Sequence, residues 1–169
     1  MPFFAPPSGF HFLVRFEGLL IKYPGIPDIG FQEVTGINVD IGVEEYQEGG
    51  ENRFKHRLPQ PVSYPNLTLK RGMLIGSQLM RWFKESVEEF KFEANDITVV
   101  LLNHDHLPLQ AWNFINAWPV KWSFDGLNAQ ENKLMIESIE FSYQYYRRID
   151  PSDLILDLGA SISASASIG

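Results

Sequence analysis

Apolar and polar residues alternate with a period of two along most of this chain, and this pattern constrains the fold more than any other feature. Such alternation is typical of strands that bury one face. It recurs at residues 10–16, 39–43 and 67–69, whereas residues 97–102 are apolar at consecutive positions, as in a strand covered on both faces. The longest run has apolar side chains of one parity, interrupted only at Asn116: Trp112, Phe114, Trp118, Val120, Trp122 and Phe124.

Two details of that longest run lead to further predictions. Pro119 lacks a backbone donor, so we expect a bulge or an unpaired edge at this residue. The shared parity of Trp112, Trp118 and Trp122 predicts that they lie on the inner face of the sheet, or on a surface buried against a helix or a neighbour. The alternative is an exposed aromatic face that stacks on sugars.

One segment has a helical period instead. Leu79, Phe83, Val87 and Phe90 follow one another at spacings of four, four and three, which predicts one apolar stripe of a helix that begins after the N-cap Ser77. The solvent face would carry charged residues: Arg81, Lys84, Glu85, Glu88 and Glu89. The expected fold is mainly β, an antiparallel β-sandwich or barrel of about seven or eight strands with one packed α-helix.

Residues 44–57 form the most informative polar segment and predict a strand, a long loop and the start of a second strand. Gly49 and Gly50 allow a sharp bend at its centre. The charges are divided between an acidic half and a basic half: Glu44, Glu45, Glu48 and Glu51, then Arg53, Lys55 and Arg57. Identical copies could match the acidic half of one segment to the basic half of the next. We therefore predict that these residues and the two glycines form an inter-subunit arm.

Composition excludes several classes of protein. The 169 residues suit one domain, and without cysteine there is no disulfide framework, cysteine–zinc site or thiol nucleophile. A net charge of −7 argues against nucleic-acid binding as the main function. The first residues, MPFFAPPSGF, do not resemble a signal peptide, so we expect synthesis in the cytoplasm. No apolar run approaches the ~18 residues of a membrane helix, so no membrane segment is expected.

Candidate catalytic and metal-binding residues have simpler explanations. His104, Asp105 and His106 could ligate a metal, but they lie between two predicted strands, where this composition is typical of a turn. Glu44 and Glu45 are adjacent, so on a strand they point to opposite faces and cannot flank one glycosidic bond; strand alternation also explains Glu137 and Glu140. No GxSxG elbow or phosphate-binding glycine loop occurs. We predict no enzymatic activity, no cofactor and no metal.

Several segments, in order, resemble the tail tube proteins of contractile phages and of phage-like contractile injection systems. They are GFHFLVRFEG, FQEVTGINVDI, EEYQEGGE with RFKHRLP and YPNLTLKRG, DITVVLLN, AWNFINAWPVKWSFDGLNAQEN and LMIESIEFSYQYY. The resemblance covers about residues 8–146. It implies a six-membered ring with a continuous inner β-barrel, stacked into a tube inside a contractile sheath. The implied partners are further copies, sheath, baseplate or cap proteins, and cargo protein or DNA that passes through without specific binding.

The resemblance divides the chain into a tail-tube-like β domain, residues 1–148, and a C-terminal extension, residues 149–169. The extension is a disordered terminus or an arm that binds a partner through apolar residues: Leu154, Ile155, Leu156 and Leu158. Asp150, Pro151, Ser152 and Asp153 predict the turn that precedes it. We expect a polar channel face, for which the last long strand offers Ser138, Glu140, Ser142 and Gln144, opposite Ile139, Phe141, Tyr143 and Tyr145.

Three functions follow in order of preference. The first is a structural subunit of the inner tube, which ends in a phage virion or a released, extracellular injection particle. The second is a specialised ring that initiates or terminates such a tube. The third, from a different class, is a free β-sandwich module that binds glycan or protein and remains monomeric.

Overall fold

The computed structural model describes residues 11–19, 30–125, 135–150, 152 and 153, and within them the chain forms nine strands and one helix. The strands are β1 (His11–Phe16), β2 (Phe31–Thr35), β3 (Asp40–Tyr46), β4 (His56–Ser63), β5 (Leu67–Gly72), β6 (Asn95–Leu102), β7 (Pro108–Phe124), β8 (Ile136–Ser142) and β9 (Tyr145–Ile149). The helix is α1 (Gln78–Glu88). Among these residues, no helix has the length and apolar character needed to span a membrane.

All the strand pairs are antiparallel. The main sheet has the order β1-β6-β7-β8-β5-β2, and β9 also pairs with β7. β7 is long enough to serve two groups of strands: its first half pairs with β6 and β9, and its second half pairs with β8. β3 and β4 form a separate two-stranded sheet. The predicted fold class, mainly β and antiparallel with one packed helix, is confirmed.

The bulge predicted at Pro119 is present, because the pairing of β7 with β8 changes register between Pro119 and Lys121. The predicted inner face holds for Trp112 and Trp122 and fails for Trp118. Trp122 pairs with Ile139, whose side chain is buried, whereas Trp118 pairs with Ser142 on the opposite face of β8. β7 has a second bulge between Phe114 and Ala117, where Asn116 has a φ of +51°. Each bulge inserts one residue into the strand, so the faces exchange twice, and Trp118 lies between the two bulges. Trp112 and Trp122 are partly buried against the core.

The predicted N-cap is confirmed: the Ser77 hydroxyl accepts a hydrogen bond from the Met80 N–H at 3.0 Å. The predicted apolar stripe holds for Leu79 and for Phe83, whose ring centre lies 5.4 Å from that of Trp122, but it is wrong for Val87 and Phe90. The buried residues of α1 are Gln78, Leu79, Trp82 and Ser86. Val87 is exposed, and Phe90 lies past the end of the helix with 82% of its surface exposed. The indole of Trp82 packs on Phe141, and its N–H donates to the Glu93 carbonyl at 3.1 Å, which fixes the helix on the sheet.

A buried ion pair crosses the core from β5 to β8. The Arg71 guanidinium donates to the Glu137 carboxylate, and both side chains are almost fully buried. Arg71 also donates to the Ser77 hydroxyl at 2.9 Å, and its guanidinium lies 5.2 Å from the centre of the Phe31 ring. One charged side chain therefore ties two strands to the start of the helix.

Candidate assembly interface

The arm predicted at residues 44–57 is the end of a long β-ribbon. β2 runs on into β3, and β4 runs on into β5, with the same register in both ladders: Thr35 pairs with Thr68, and five residues further along each strand Asp40 pairs with Ser63. At the base of the ribbon, β5 is also paired with β8. Beyond the base, β3 and β4 pair only with each other, so they form a hairpin, residues 40–63, that extends from the main sheet.

The hairpin presents apolar side chains that the described part of the chain does not cover. Six large apolar side chains have about half or more of their surface exposed to solvent: Ile41, Val43, Tyr46, Phe54, Leu58 and Val62. They lie on both faces, because Val43 pairs with Pro59 whereas the adjacent Glu44 pairs with Leu58. A two-stranded hairpin is only marginally stable in water by itself, and a large exposed apolar surface is typical of an interaction site.

The charged residues of the arm pair within the hairpin. Glu45 contacts Lys55 at 3.4 Å and Arg57 at 4.0 Å, and Glu51 accepts two hydrogen bonds from the Arg53 guanidinium. These bonds hold the pKa of Glu51 below its usual value and raise the pKa of Arg53. Solvent screens such exposed pairs, so they stabilise the hairpin little, and exchanging them for contacts with the charges of another copy would change the free energy little.

The tip of the hairpin is built as predicted from its glycines. Gly50 has a φ of +105°, a backbone conformation that residues with a Cβ rarely adopt. The Glu51 N–H donates to the Glu48 carbonyl at 3.3 Å and closes a turn around Gly49 and Gly50. The turn brings the acidic and basic halves of the arm side by side, so their charges pair within one copy. That the arm contacts another subunit stays a prediction.

A second surface is the face of the main sheet opposite the core, formed by β2, β5, β8 and the end of β7. Two ion pairs cross between neighbouring strands on this face: Lys70 with Glu33 at 3.0 Å, and Lys121 with Glu140 at 2.9 Å. The Lys121 amine is the main reason why the pKa of Glu140 is lowered. Ser138 and Ser142 lie on this face as predicted, whereas Trp118 lies at its end. These pairs contribute two positive and two negative charges and therefore no net charge.

The alternation predicted along the last strand holds only as far as Tyr143. Ile139, Phe141 and Tyr143 are buried, and Ser138, Glu140 and Ser142 lie opposite them. β8 then ends, and the Gln144 N–H donates to the Ile115 carbonyl at 3.0 Å as the chain turns into β9. Tyr145 is consequently exposed, contrary to the predicted parity.

The segment His104–Asp105–His106 forms a turn between β6 and β7, as its composition predicted. The Asn103 side-chain oxygen accepts hydrogen bonds from the N–H groups of Asp105 and Leu107, both at 2.9 Å. The turn places His106 beside His11 of β1, with the two imidazoles 2.8 Å apart at their nitrogens. In the described ranges, no group of three or more His, Cys, Asp or Glu residues has the geometry of a metal site.

Of the turn predicted before the C-terminal extension, Pro151 lies outside the described residues; the Asp153 N–H donates to the Asp150 carbonyl at 3.1 Å, and Ser152 and Asp153 are helical. The four apolar residues predicted to bind a partner lie outside the described residues: Leu154, Ile155, Leu156 and Leu158.

Comparisons with known proteins agree on one family. A model of the T4-like virus tail tube protein gp19 matches residues 8–147. A chain of the 6-fold symmetrised baseplate of the anti-feeding prophage (AFP) is 28% identical with a TM-score of 0.73, and the match covers 89% of this chain and 99% of that one. No curated protein matches the sequence significantly.

Two further solved structures share the fold at lower identity. A chain of the PVC sheath–tube complex, an extracellular contractile injection system in its extended state, is 23% identical with a TM-score of 0.70; the match covers 88% of this chain and 94% of that one. A chain of the AFP tube-terminating cap is 21% identical with a TM-score of 0.69, over 86% and 92% of the two chains.

Proposed function

Because the chain belongs to the T4-like virus tail tube protein gp19 family, we propose that it is a structural subunit of the inner tube of a contractile tail or injection system. Six copies form a ring, and the rings stack into a tube that conducts cargo. The observation that carries this proposal is the projecting hairpin, whose apolar side chains the described domain leaves uncovered. A neighbouring copy supplies that cover.

The apolar side chains of the hairpin dominate the contact between copies. Complete burial of a large aliphatic or aromatic side chain stabilises an interface by roughly 1.5–3 kcal/mol. The hairpin side chains are already about half-buried, so each can contribute about half of that free energy. The charges of the arm set the register and exclude misaligned neighbours, since like charges placed together cost several kcal/mol. In this proposal the apolar residues of the arm supply the binding free energy, and its charged residues supply the specificity.

The polar face of β2, β5, β8 and the end of β7 lines the channel. Its ion pairs cancel in charge, and this suits a surface that cargo must pass without binding, because stacked subunits multiply any local attraction. Protein or DNA cargo is conducted passively, without cofactor and without making or breaking a bond. Sheath, baseplate or cap proteins contact the outer surface and the ends, and the assembled particle is a virion or is released from the cell.

Mass photometry over a range of concentrations and salt, followed by negative-stain microscopy, tests the proposal directly. We expect closed rings with a central channel. A protein that remains monomeric at high micromolar concentration under all salt conditions contradicts it and supports the free binding module instead. Discrete rings without long tubes remain consistent, because stacking can require a nucleating partner.

Reversing the basic half of the arm tests its role separately. In the triple variant Arg53→Glu, Lys55→Glu and Arg57→Glu, the charges that face the acidic half become repulsive, so we expect a folded protein with fewer rings or stacks. Reversing Glu44, Glu45 and Glu48 to Lys in the same protein should restore assembly in part.

A matched control makes the same change in charge on the helix side of the domain, with Arg81, Lys84 and Lys91 replaced by Glu. This control should assemble into rings like the parent. If the arm variant also assembles like the parent at low salt, the charges of the arm have no role in assembly.

A specialised ring at one end of the tube is the second candidate, and one observation favours it. The match at 28% identity is to a chain from a baseplate structure rather than from a sheath–tube complex. A ring of this kind stays single at concentrations where a bulk tube protein stacks. Truncation after Ile149 should then leave the fold intact and weaken contact with the next ring or a capping protein, because the extension carries the partner-binding residues.

A further inference from the structure

The two edges of the projecting hairpin are chemically different. Between Phe31 and Tyr46 the chain contains no proline, so the edge formed by β2 and β3 keeps every backbone donor. β4 contains Pro59 and Pro61, and Pro61 lies where the pairing with β3 changes register. Proline removes an N–H, and in sheets it occurs on edges or at bulges, where it blocks further pairing.

The register of the hairpin shows which way the backbone groups point. Val43 pairs directly with Pro59. A hydrogen-bonded antiparallel pair exchanges two N–H···O bonds, and Pro59 has no N–H to give. The alternation of the ladder therefore assigns the exchanged bonds to the adjacent pair Glu44–Leu58, so the backbone groups of Val43 and Pro59 point outward, away from each other.

The same alternation extends to the next outward pair, Glu45 and Arg57. On the β3 side, the N–H groups of Val43 and Glu45 point outward and are both available. On the β4 side, only Arg57 offers a donor, because Pro59 has none. An approaching strand can thus form a continuous ladder with β3 and cannot form one with β4.

We infer that the hairpin pairs with a second copy of this chain in one direction only, by adding the outer edge of β3 to the neighbour's main sheet, while Pro59 and Pro61 close the β4 edge. This inference rests on the proposed ring. A contact between two different surfaces propagates around a ring, whereas two β3 edges that paired with each other would give a closed twofold dimer. Closing one edge therefore makes the contact directional.

Hydrogen exchange on the unmodified protein tests the inference without a mutation. In assembled rings, the amides of Val43 and Glu45 should exchange at least about tenfold more slowly than in dissociated subunits, because they become hydrogen-bonded. The amide of Arg57 should keep its rate. Protection of Arg57 together with exchange at Val43 overturns the inference, since the β4 edge would then be the paired one.

An exchange of two directly opposed residues provides the matched variant. Val43→Pro combined with Pro59→Val moves the missing donor from β4 to β3 without changing the composition. Both positions point outward, so the ladder between β3 and β4 and the core should be retained, as circular dichroism and tryptophan fluorescence can verify. We expect at least about tenfold weaker ring formation, while Pro59→Val alone forms rings like the parent.

The outcomes separate this inference from the proposed function. A parent protein without rings contradicts the proposed tube subunit. If the parent forms rings and the exchanged variant forms them equally well, the proposed function stands and the directional edge is wrong. Twofold dimers of the parent, with β3 protected, also contradict the directional contact.

Discussion

Replacing Glu137 with Gln removes the charge that the Arg71 guanidinium contacts in the core and leaves the shape of the side chain almost unchanged. Arg71 is 1% exposed and Glu137 is fully buried, so water cannot solvate the remaining charge. Breaking a buried ion pair by removing one partner costs about 3–5 kcal/mol. The hydrogen bond from Arg71 to Ser77 and the nearby Phe31 ring stay in place. We therefore expect the variant to lose about 3 kcal/mol of unfolding free energy.

Removing both charges together should be much less harmful. The double variant Arg71→Met, Glu137→Leu fills a similar volume with apolar atoms, and such replacements are often neutral or even stabilising. Here Ser77 loses its donor, which costs about 1 kcal/mol. The double variant should thus be more stable than Glu137→Gln, and a cycle of the parent, Arg71→Met, Glu137→Leu and the double variant should give a coupling energy of about 2 kcal/mol or more.

Urea unfolding of the dissociated subunit, followed by tryptophan fluorescence, measures these differences. Lys70→Met is the matched control: it breaks an ion pair on the same strand, with Glu33 at 3.0 Å, but both partners are exposed. It should cost less than about 1 kcal/mol. If Glu137→Gln costs no more than Lys70→Met, the buried pair does not stabilise the core and the reasoning fails.

Two further predictions concern the ribbon base and alkaline pH. Gly36 has a φ of +91°, and an added Cβ would lie 2.0 Å from the Asn66 carbonyl oxygen. Gly36→Ala should therefore lower the free energy of unfolding, measured in urea, by more than about 2 kcal/mol. Gly42→Ala is the control and should cost less, because its Cβ would meet only the flexible Gln60 side chain. Burial raises the pKa of Tyr143 to about 12, so the unfolded chain ionises first and stability should fall by up to about 2.5 kcal/mol between pH 10 and 12. Tyr143→Phe should remove that loss and Tyr145→Phe should not, and an unchanged pH profile in Tyr143→Phe contradicts the assignment.

The strand pattern was predictable because each strand buries one face, and the alternation records it directly. β8 shows what this alternation predicts correctly and where its interpretation failed. Alternation was expected to explain Glu137 as a polar strand residue, and this is wrong: Glu137 has the parity of Ile139 and Phe141 and is buried with them on the apolar face. Arg71 likewise has the parity of Leu67 and Leu69 on β5. Two opposite charges on the inner faces of strands are a signal for a buried ion pair, but only the pairing of β5 with β8 brings them together.

The errors arose where the local period was ambiguous. Two apolar rows start at Leu79, and the one that includes Trp82 is buried because the sheet offers Phe141 to pack against it. In β7, Pro119 revealed the bulge but not its consequence, namely that the residues before and after it change faces. Tertiary partners decide both cases, and a single sequence does not contain them.

The hairpin combines a stable base with an end that is stable only when covered. Its base belongs to the main sheet, where β5 is held by β2 on one side and β8 on the other. Its end has one ladder, exposed apolar side chains on both faces and weak ion pairs. The base therefore fixes the start of the ribbon, which lowers the entropy that the hairpin end would lose on binding the proposed second copy. The same exposed edge would also favour aggregation, and prolines on β4 restrict that hazard to one side. In the proposed ring the next copy covers the apolar end of the hairpin, so the stability of the arm and the growth of the ring are coupled.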